Sequence, residues 1–249
     1  MSSRKNRSKQ IGRRQAIQVL GAAGVISLIG CGGGTASSAT AGSGSASAST
    51  SASCVLTPDL TVGPYFVDEK LNRSDLTTNT TDTNVLNATP LSLTLTIQQY
   101  SSTGCSPLQG AQVDIWHADA AGVYSDESSE GTSAQTYLRG YQITNSTGVV
   151  SFQTIFPGWY SGRTIHVHVM VRTFDSSGAV AFAFTTQLFF DQALINAISS
   201  TVAPYSSRGL PNTTNADDNI YNSVTQLTLA AATSGGGYTG SVALGVQTS

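Results

Sequence analysis

The chain has 249 residues, of which 10% are charged and 39% hydrophobic, with 25 glycines, 3 cysteines and a formal net charge of −2. Six of the 12 basic residues precede Gln15, and the rest of the chain sets 6 basic against 14 acidic side chains, a formal charge of −8. A domain so poor in Lys and Arg argues against nucleic acid as a partner.

Residues 1–30 read as an export signal. Arg4, Lys5, Arg7, Lys9, Arg13 and Arg14 form a basic head without acidic residues, and a mostly apolar stretch from Gln15 to Gly30 follows. At about 16 residues that stretch is short for a membrane span. Its ending, Leu28-Ile29-Gly30-Cys31, resembles a bacterial lipoprotein cleavage box, which implies Cys31 as the lipidated residue. Arg13-Arg14 resembles a twin-arginine signal. Beyond Cys31, residues 31–53 are nearly all Gly, Ser, Ala and Thr; they cannot bury a core and read as a tether. The folded domain is expected over 54–249. The expected location is the bacterial periplasm or cell surface, with membrane attachment only through the lipid. Gly32, where an aspartate would signal inner-membrane retention, favours the outer membrane. Export favours a disulfide between Cys54 and Cys105, with two buried free thiols as the alternative.

Within the domain, Leu91, Leu93, Leu95 and Ile97 alternate with polar residues, as a half-buried strand does. Ala111, Val113 and Ile115 repeat the pattern after the turn region Gly104 to Gly110. Gly148 to Phe152 forms a short strand behind the turn at Asn145 to Gly148. Thr164 to Thr173 and Ala179 to Phe190 are strands flanking the turn at Asp175 to Gly178. Only Gln192 to Ser200 reads as helical, with Pro204 and Pro211 beyond it. Val224 to Ala232 and Tyr238 to Val246 form a last hairpin around Gly235-Gly236-Gly237. Many short strands with regular turn signals predict a mainly β protein, an antiparallel β-sandwich with little helix.

The chemistry concentrates in Pro157-Gly158-Trp159-Tyr160 and Arg163-Thr164-Ile165-His166-Val167-His168. Side chains alternate along a strand, so His166 and His168 share one face, while Ile165, Val167, Val169 and Val171 take the buried one. Such a pair alone is often only hydrogen-bonded; the adjacent Tyr160 and Arg163 turn the reading towards a metal. Imidazole with phenolate suits ferric iron better than zinc, which prefers thiolate, imidazole and carboxylate. Trp116 is expected in the core. His117 is expected to be a satisfied polar residue, and Asp114 and Asp119 to be turn or hydrogen-bonding groups. An Arg73–Asp75 ion pair is expected to hold a loop.

A second tyrosine-bearing motif runs from Gly110 through Asp114-Ile115-Trp116-His117-Ala118-Asp119 to Gly122-Val123-Tyr124-Ser125. With the two motifs above, in this order, the chain resembles the intradiol ring-cleavage dioxygenases, the catechol and protocatechuate 3,4-dioxygenase family, from about Thr57 to Val246. The resemblance implies the intradiol, prealbumin-like sandwich. It implies non-haem Fe(III) as cofactor, with Tyr124, Tyr160, His166 and His168 as its ligands. Tyr160 corresponds to the phenolate that leaves as a catecholate binds, free then to act as a base. Arg163 and Gln187 correspond to catalytic polar residues, and Gly63, Pro64 and Tyr65 border the aromatic substrate. The implied partners are a small aromatic diol and O2, and the implied product is a muconate-type diacid. A homo-oligomer stays open. Only five residues separate Tyr160 from His166, fewer than the family pattern, which shortens one wall of the site. Scarce cations, mainly Arg163, Arg139 and Arg172, favour neutral diols. Two readings of other classes compete: a catalytically inactive lipoprotein binding iron or a catechol, and a metal-free sandwich used for adhesion.

Overall fold

The structure is a computed structural model that describes residues 55–248. The predicted signal, Cys31, the tether and Cys54 lie outside the described residues. Nine strands form two sheets: β1 (Pro90–Ser101), β2 (Gly104–Pro107), β3 (Gln112–Trp116), β4 (Arg139–Ile143), β5 (Val149–Ile155), β6 (His166–Phe174), β7 (Val180–Phe189), β8 (Thr228–Ala231) and β9 (Tyr238–Val246). Among the described residues two α-helices accompany them, α1 (Thr83–Leu86) and α2 (Gln192–Thr201). Among the described residues no helix is long and apolar enough to cross a membrane.

The first sheet runs β2-β1-β9-β8, with β5 also paired to β1, and the second runs β4-β3-β6-β7. The alternation in β1 does what its period requires: Leu91, Leu93, Leu95 and Ile97 are buried, each adding roughly 1.5–3 kcal/mol of hydrophobic stabilisation. They join Val113, Ile115, Val167, Val169, Val171 and Leu188 of the second sheet in one core. The expected antiparallel arrangement holds except between β1 and β9, which pair in parallel from Leu91–Tyr238 to Gln99–Val246. The last strand thus fills the edge of β1 that β2 and β5 leave free.

The helix at α2 starts where Asp191 caps it, its carboxylate accepting from the Leu194 N–H. The predicted strand from Val224 shortens to Thr228–Ala231, because Asn222 caps a turn of 3-10 helix at Ser223–Thr225. The short elements α1, β2 and β4 carry no sequence periodicity long enough to read. Cys105, in β2, is disulfide-bonded.

Candidate active site

The second sheet builds the site in one row. Arg139 of β4 lies opposite Trp116 of β3, Trp116 opposite His168 of β6, and His168 opposite Gln187 of β7. Directly opposed residues share a face of the sheet, and His166 lies two residues from His168 on that same face. The sequence reading buried only the other face of β6. In the structure the segment before β1 covers this one too. Leu60 N–H donates to the Thr185 carbonyl, Gln187 Nε2 to the Thr61 carbonyl, and Arg139 Nη1 to the Tyr65 carbonyl. His166 and His168 are consequently 3% and 1% exposed.

Two turns bring the tyrosines over this row. Asp119 shapes the first: its Oδ1 accepts from Ala121 and Val123 N–H, at 2.8 and 2.9 Å, and Tyr124 follows. The second, Pro157 to Tyr160, is pinned to the first by Gly158 N–H donating to the Asp119 carbonyl at 2.8 Å. The contact is so close that a Cβ on Gly122 would fall 2.0 Å from the Trp159 carbonyl oxygen, and Gly122 also has φ +80°; only glycine fits. Arg208 lies over the Trp159 ring, 4.3 Å from its centroid, and also donates to the Trp159 carbonyl.

The tyrosines and histidines converge. His166 Nε2 lies 3.3 Å from the Tyr160 hydroxyl and 3.1 Å from His168 Nε2. The Tyr124 and Tyr160 rings are 5.8 Å apart and edge-on. The buried Tyr124 hydroxyl and His168 Nδ1 have no hydrogen-bond partner among the described residues. His166 Nδ1 sits 2.7 Å from the Thr164 carbonyl, which can only accept. Nδ1 therefore carries the proton and Nε2 presents a lone pair. Burial pushes His166 down to about 3 and His168 well below the usual imidazole range, so both are neutral bases. Burial pushes both phenols up, Tyr124 the more strongly, while the Arg163 guanidinium opposes this at Tyr160.

Two neutral imidazoles and two phenols clustered together, one phenol buried and unpartnered among the described residues, offer a cation two nitrogen donors and, once ionised, two hard oxygen donors. Among the described residues no group of three or more His, Cys, Asp or Glu could hold a metal. A metal here must use the tyrosines, and the donors present fit ferric iron.

Around this cluster, Arg163 donates from Nε to Asp218 at 2.9 Å and from Nη2 to Gln187 Oε1. Tyr65 stacks on Tyr124 at 4.3 Å and meets Tyr160 edge-on at 5.9 Å. Pro64 precedes it at an exposed position, and a Cβ on Gly63 would lie 3.2 Å from His168 Cε1. Trp116 is buried but belongs to the site rather than the main core: it stacks on His168 at 4.7 Å, 7° from parallel. The strand register decides this, since residue 116 shares the histidine face. His117 has both nitrogens engaged, by the Ala118 carbonyl and Thr154 Oγ1. Arg73 braces its loop through the carbonyls of Arg139, Thr78 and Thr136. The expected Asp75 partner instead accepts from Thr77. Arg139 and Arg172, two of the scarce cations of the domain, are tied to Ser125 and to Asp114 with Asp68. Sequence reasoning missed Asp218 and Arg208. Both lie in irregular segments more than 40 residues along the chain from Trp159, which Arg208 covers, and from Arg163 and Thr164, which Asp218 holds, and no periodicity marks them.

The chain's likeness to known proteins agrees with this geometry. Residues 61–204 match the family model described as Dioxygenase. The fold is similar to an intradiol ring-cleavage dioxygenase from Tetranychus urticae, with TM-score 0.66 and 29% identity over 78% of this chain and 96% of that one. It is similar to the dioxygenase domain of a dioxygenase–carbohydrate-binding protein fusion from Streptomyces sp. SirexAA-E, with TM-score 0.55 and 27% identity over 78% and 99%. At the level of fold it is also similar to catechol 1,2-dioxygenase from Acinetobacter sp. ADP1, with TM-score 0.54 and 20% identity over 77% and 62%. No curated protein gives a significant match. The sandwich and its site define a ring-opening oxygenase, and the chain belongs to the intradiol ring-cleavage dioxygenase family.

Proposed function

We propose that this enzyme is a non-haem Fe(III) dioxygenase that opens a catecholic ring between its two hydroxyl-bearing carbons, using O2, to a muconate-type diacid. The carrying observation is that the Tyr160 hydroxyl and His168 Nε2 both meet His166 Nε2, with the Tyr124 ring edge-on to Tyr160 and its buried hydroxyl unpartnered among the described residues. Ferric iron held by these four would supply the Lewis acidity and electron exchange that make a bound catecholate reactive towards O2.

The chain's own residues divide the remaining work. Tyr124 is buried, so it serves as the permanent phenolate; Tyr160 is half-buried and is the one able to give way. Its hydroxyl oxygen is then placed to take the proton from a substrate hydroxyl. Arg163 is a fixed cation beside Tyr160 and suits negative charge building on the ring. Gln187 holds Arg163 through Oε1 and the segment at Thr61 through Nε2, linking the cation to the wall that carries Gly63, Pro64 and Tyr65. That wall and the Trp116 stack exclude water from the histidines. With Arg139 and Arg172 tied elsewhere, a neutral diol suits the site better than a carboxylated one. The reading extends to the N-terminus: a signal over 1–30, lipid on Cys31, a tether to residue 53 and a domain from 54 to 249 exported to the periplasmic or outer surface.

The test is oxygen uptake by iron-loaded domain against a panel of catechols. Uptake matched by a ring-opened diacid is expected, with activity reduced about 100-fold or more in Tyr160→Phe. Coloured, iron-containing protein with no uptake would instead identify a binding lipoprotein, and colourless, iron-free protein would defeat the tyrosinate site.

A further inference from the structure

We propose that Asp218 is a positioning residue for ring cleavage, fixing the Arg163 guanidinium and, through Thr164, the orientation of His166. The inference rests on the dioxygenase reading.

Asp218 comes from the irregular segment after α2, yet its side chain is 0% exposed, against 14% for Arg163. Its Oδ2 accepts from both Arg163 Nε and Thr164 N–H, each at 2.9 Å, and its Oδ1 accepts from Ile220 N–H at 2.8 Å. A buried carboxylate with every contact satisfied is a rigid anchor rather than an uncompensated charge. Arginine's long stem makes it a mobile cation unless two edges of the guanidinium are held. Here Nε rests on Asp218 and Nη2 on Gln187 Oε1, so the plane is fixed from both sides.

The second branch runs through Thr164. Its N–H is held by Asp218, its Oγ1 donates to Asn215 Oδ1 at 2.6 Å, and its carbonyl receives His166 Nδ1–H at 2.7 Å. Asn215 is itself anchored by the Phe190 carbonyl and by Gln192 Oε1 at the start of α2. A partner on the far nitrogen of a ligating imidazole sets its tautomer and aim. The 215–218 segment thus aligns the cation and one histidine from a single support.

The experiment compares wild type, Asp218→Asn, Arg163→Ala and the double variant, all iron-loaded. The readouts are the phenolate-to-iron visible band, iron content, and kcat and KM for catechol. A further readout, with diamagnetic Ga(III) in place of iron, is water exchange of the Arg163 Nε–H. In Asp218→Asn we expect iron retained with the band shifted as His166 loses its aim, KM within about threefold, kcat lower by about 100-fold, and fast Nε–H exchange. Added guanidinium ion should restore Arg163→Ala only where Asp218 is present. A kcat in Asp218→Asn within about threefold of wild type would overturn the inference. So would loss of band, iron and kcat together, which would make Asp218 a folding residue only. Fast Nε–H exchange in the wild type would overturn it without reference to turnover. Iron-loaded wild type that opens no ring defeats the dioxygenase reading instead, and the exchange rates still decide whether Asp218 holds Arg163.

Discussion

Gly63 sits where a side chain would press on His168: its φ is +70°, and a Cβ would stand 3.2 Å from His168 Cε1. Gly63→Ala is expected to fold with a loss of about 1–2 kcal/mol from the left-handed backbone alone. It should also weaken iron binding by shifting the imidazole, as iron titration beside urea unfolding would show. His117 makes the acid response of the fold legible. Burial lowers it from 6.5 to about 4, so the unfolded chain takes the proton first. Its contribution, about 3 kcal/mol, is present above pH 6.5 and lost as pH falls towards 4. Asp119 works the other way, since burial raises its carboxyl and the folded state then binds the extra proton. His117→Gln should therefore remove about one proton from the pH dependence of unfolding between pH 6.5 and 4, whatever it costs at pH 7.

At the scale of elements, β6 does two jobs with alternate residues, core on one face and site on the other. The segment covering its site face is held at its far end by Arg172, which bonds Asp68 of that segment at 3.0 Å and Asp114 of β3 at 3.0 Å. Arginine hydrogen bonding holds the more exposed Asp68 below the usual carboxylate range. Burial raises Asp114 despite the same arginine, so Asp114 is the member that suffers without it. Arg172→Ala should cost about 3 kcal/mol, because it strands a buried carboxylate. Denaturant unfolding would read this, and Arg172→Ala with Asp114→Asn should recover part of the loss.

For the molecule as a whole, a covalent cross-link adds to what packing supplies in a chain of which only 10% is charged. Cys105 is disulfide-bonded, and a bridge to Cys54 would close a loop of about 50 residues, worth about 4 kcal/mol in chain entropy. Peptide mapping of oxidised protein should recover Cys54 linked to Cys105. Reduction should lower the unfolding temperature more than Tyr160→Phe does, because it acts on the whole unfolded chain rather than on one site.

The sequence by itself determined the sandwich, because alternation in segments such as Leu91–Ile97 is a local consequence of strand geometry. It also put His166 and His168 on one strand face with Tyr160 close by in the chain, while Tyr124 is implied as a ligand only by the resemblance of three ordered motifs to a family. Only the tertiary structure decided that β9 joins β1 in parallel, that Trp116 leaves the core to stack on His168, and that Arg73 serves carbonyls rather than Asp75. It alone brought Asp218 under Arg163 and Arg208 onto Trp159. These are contacts between residues distant in the chain, fixed by strand register and by which segment crosses which face, and no local pattern of polarity encodes either.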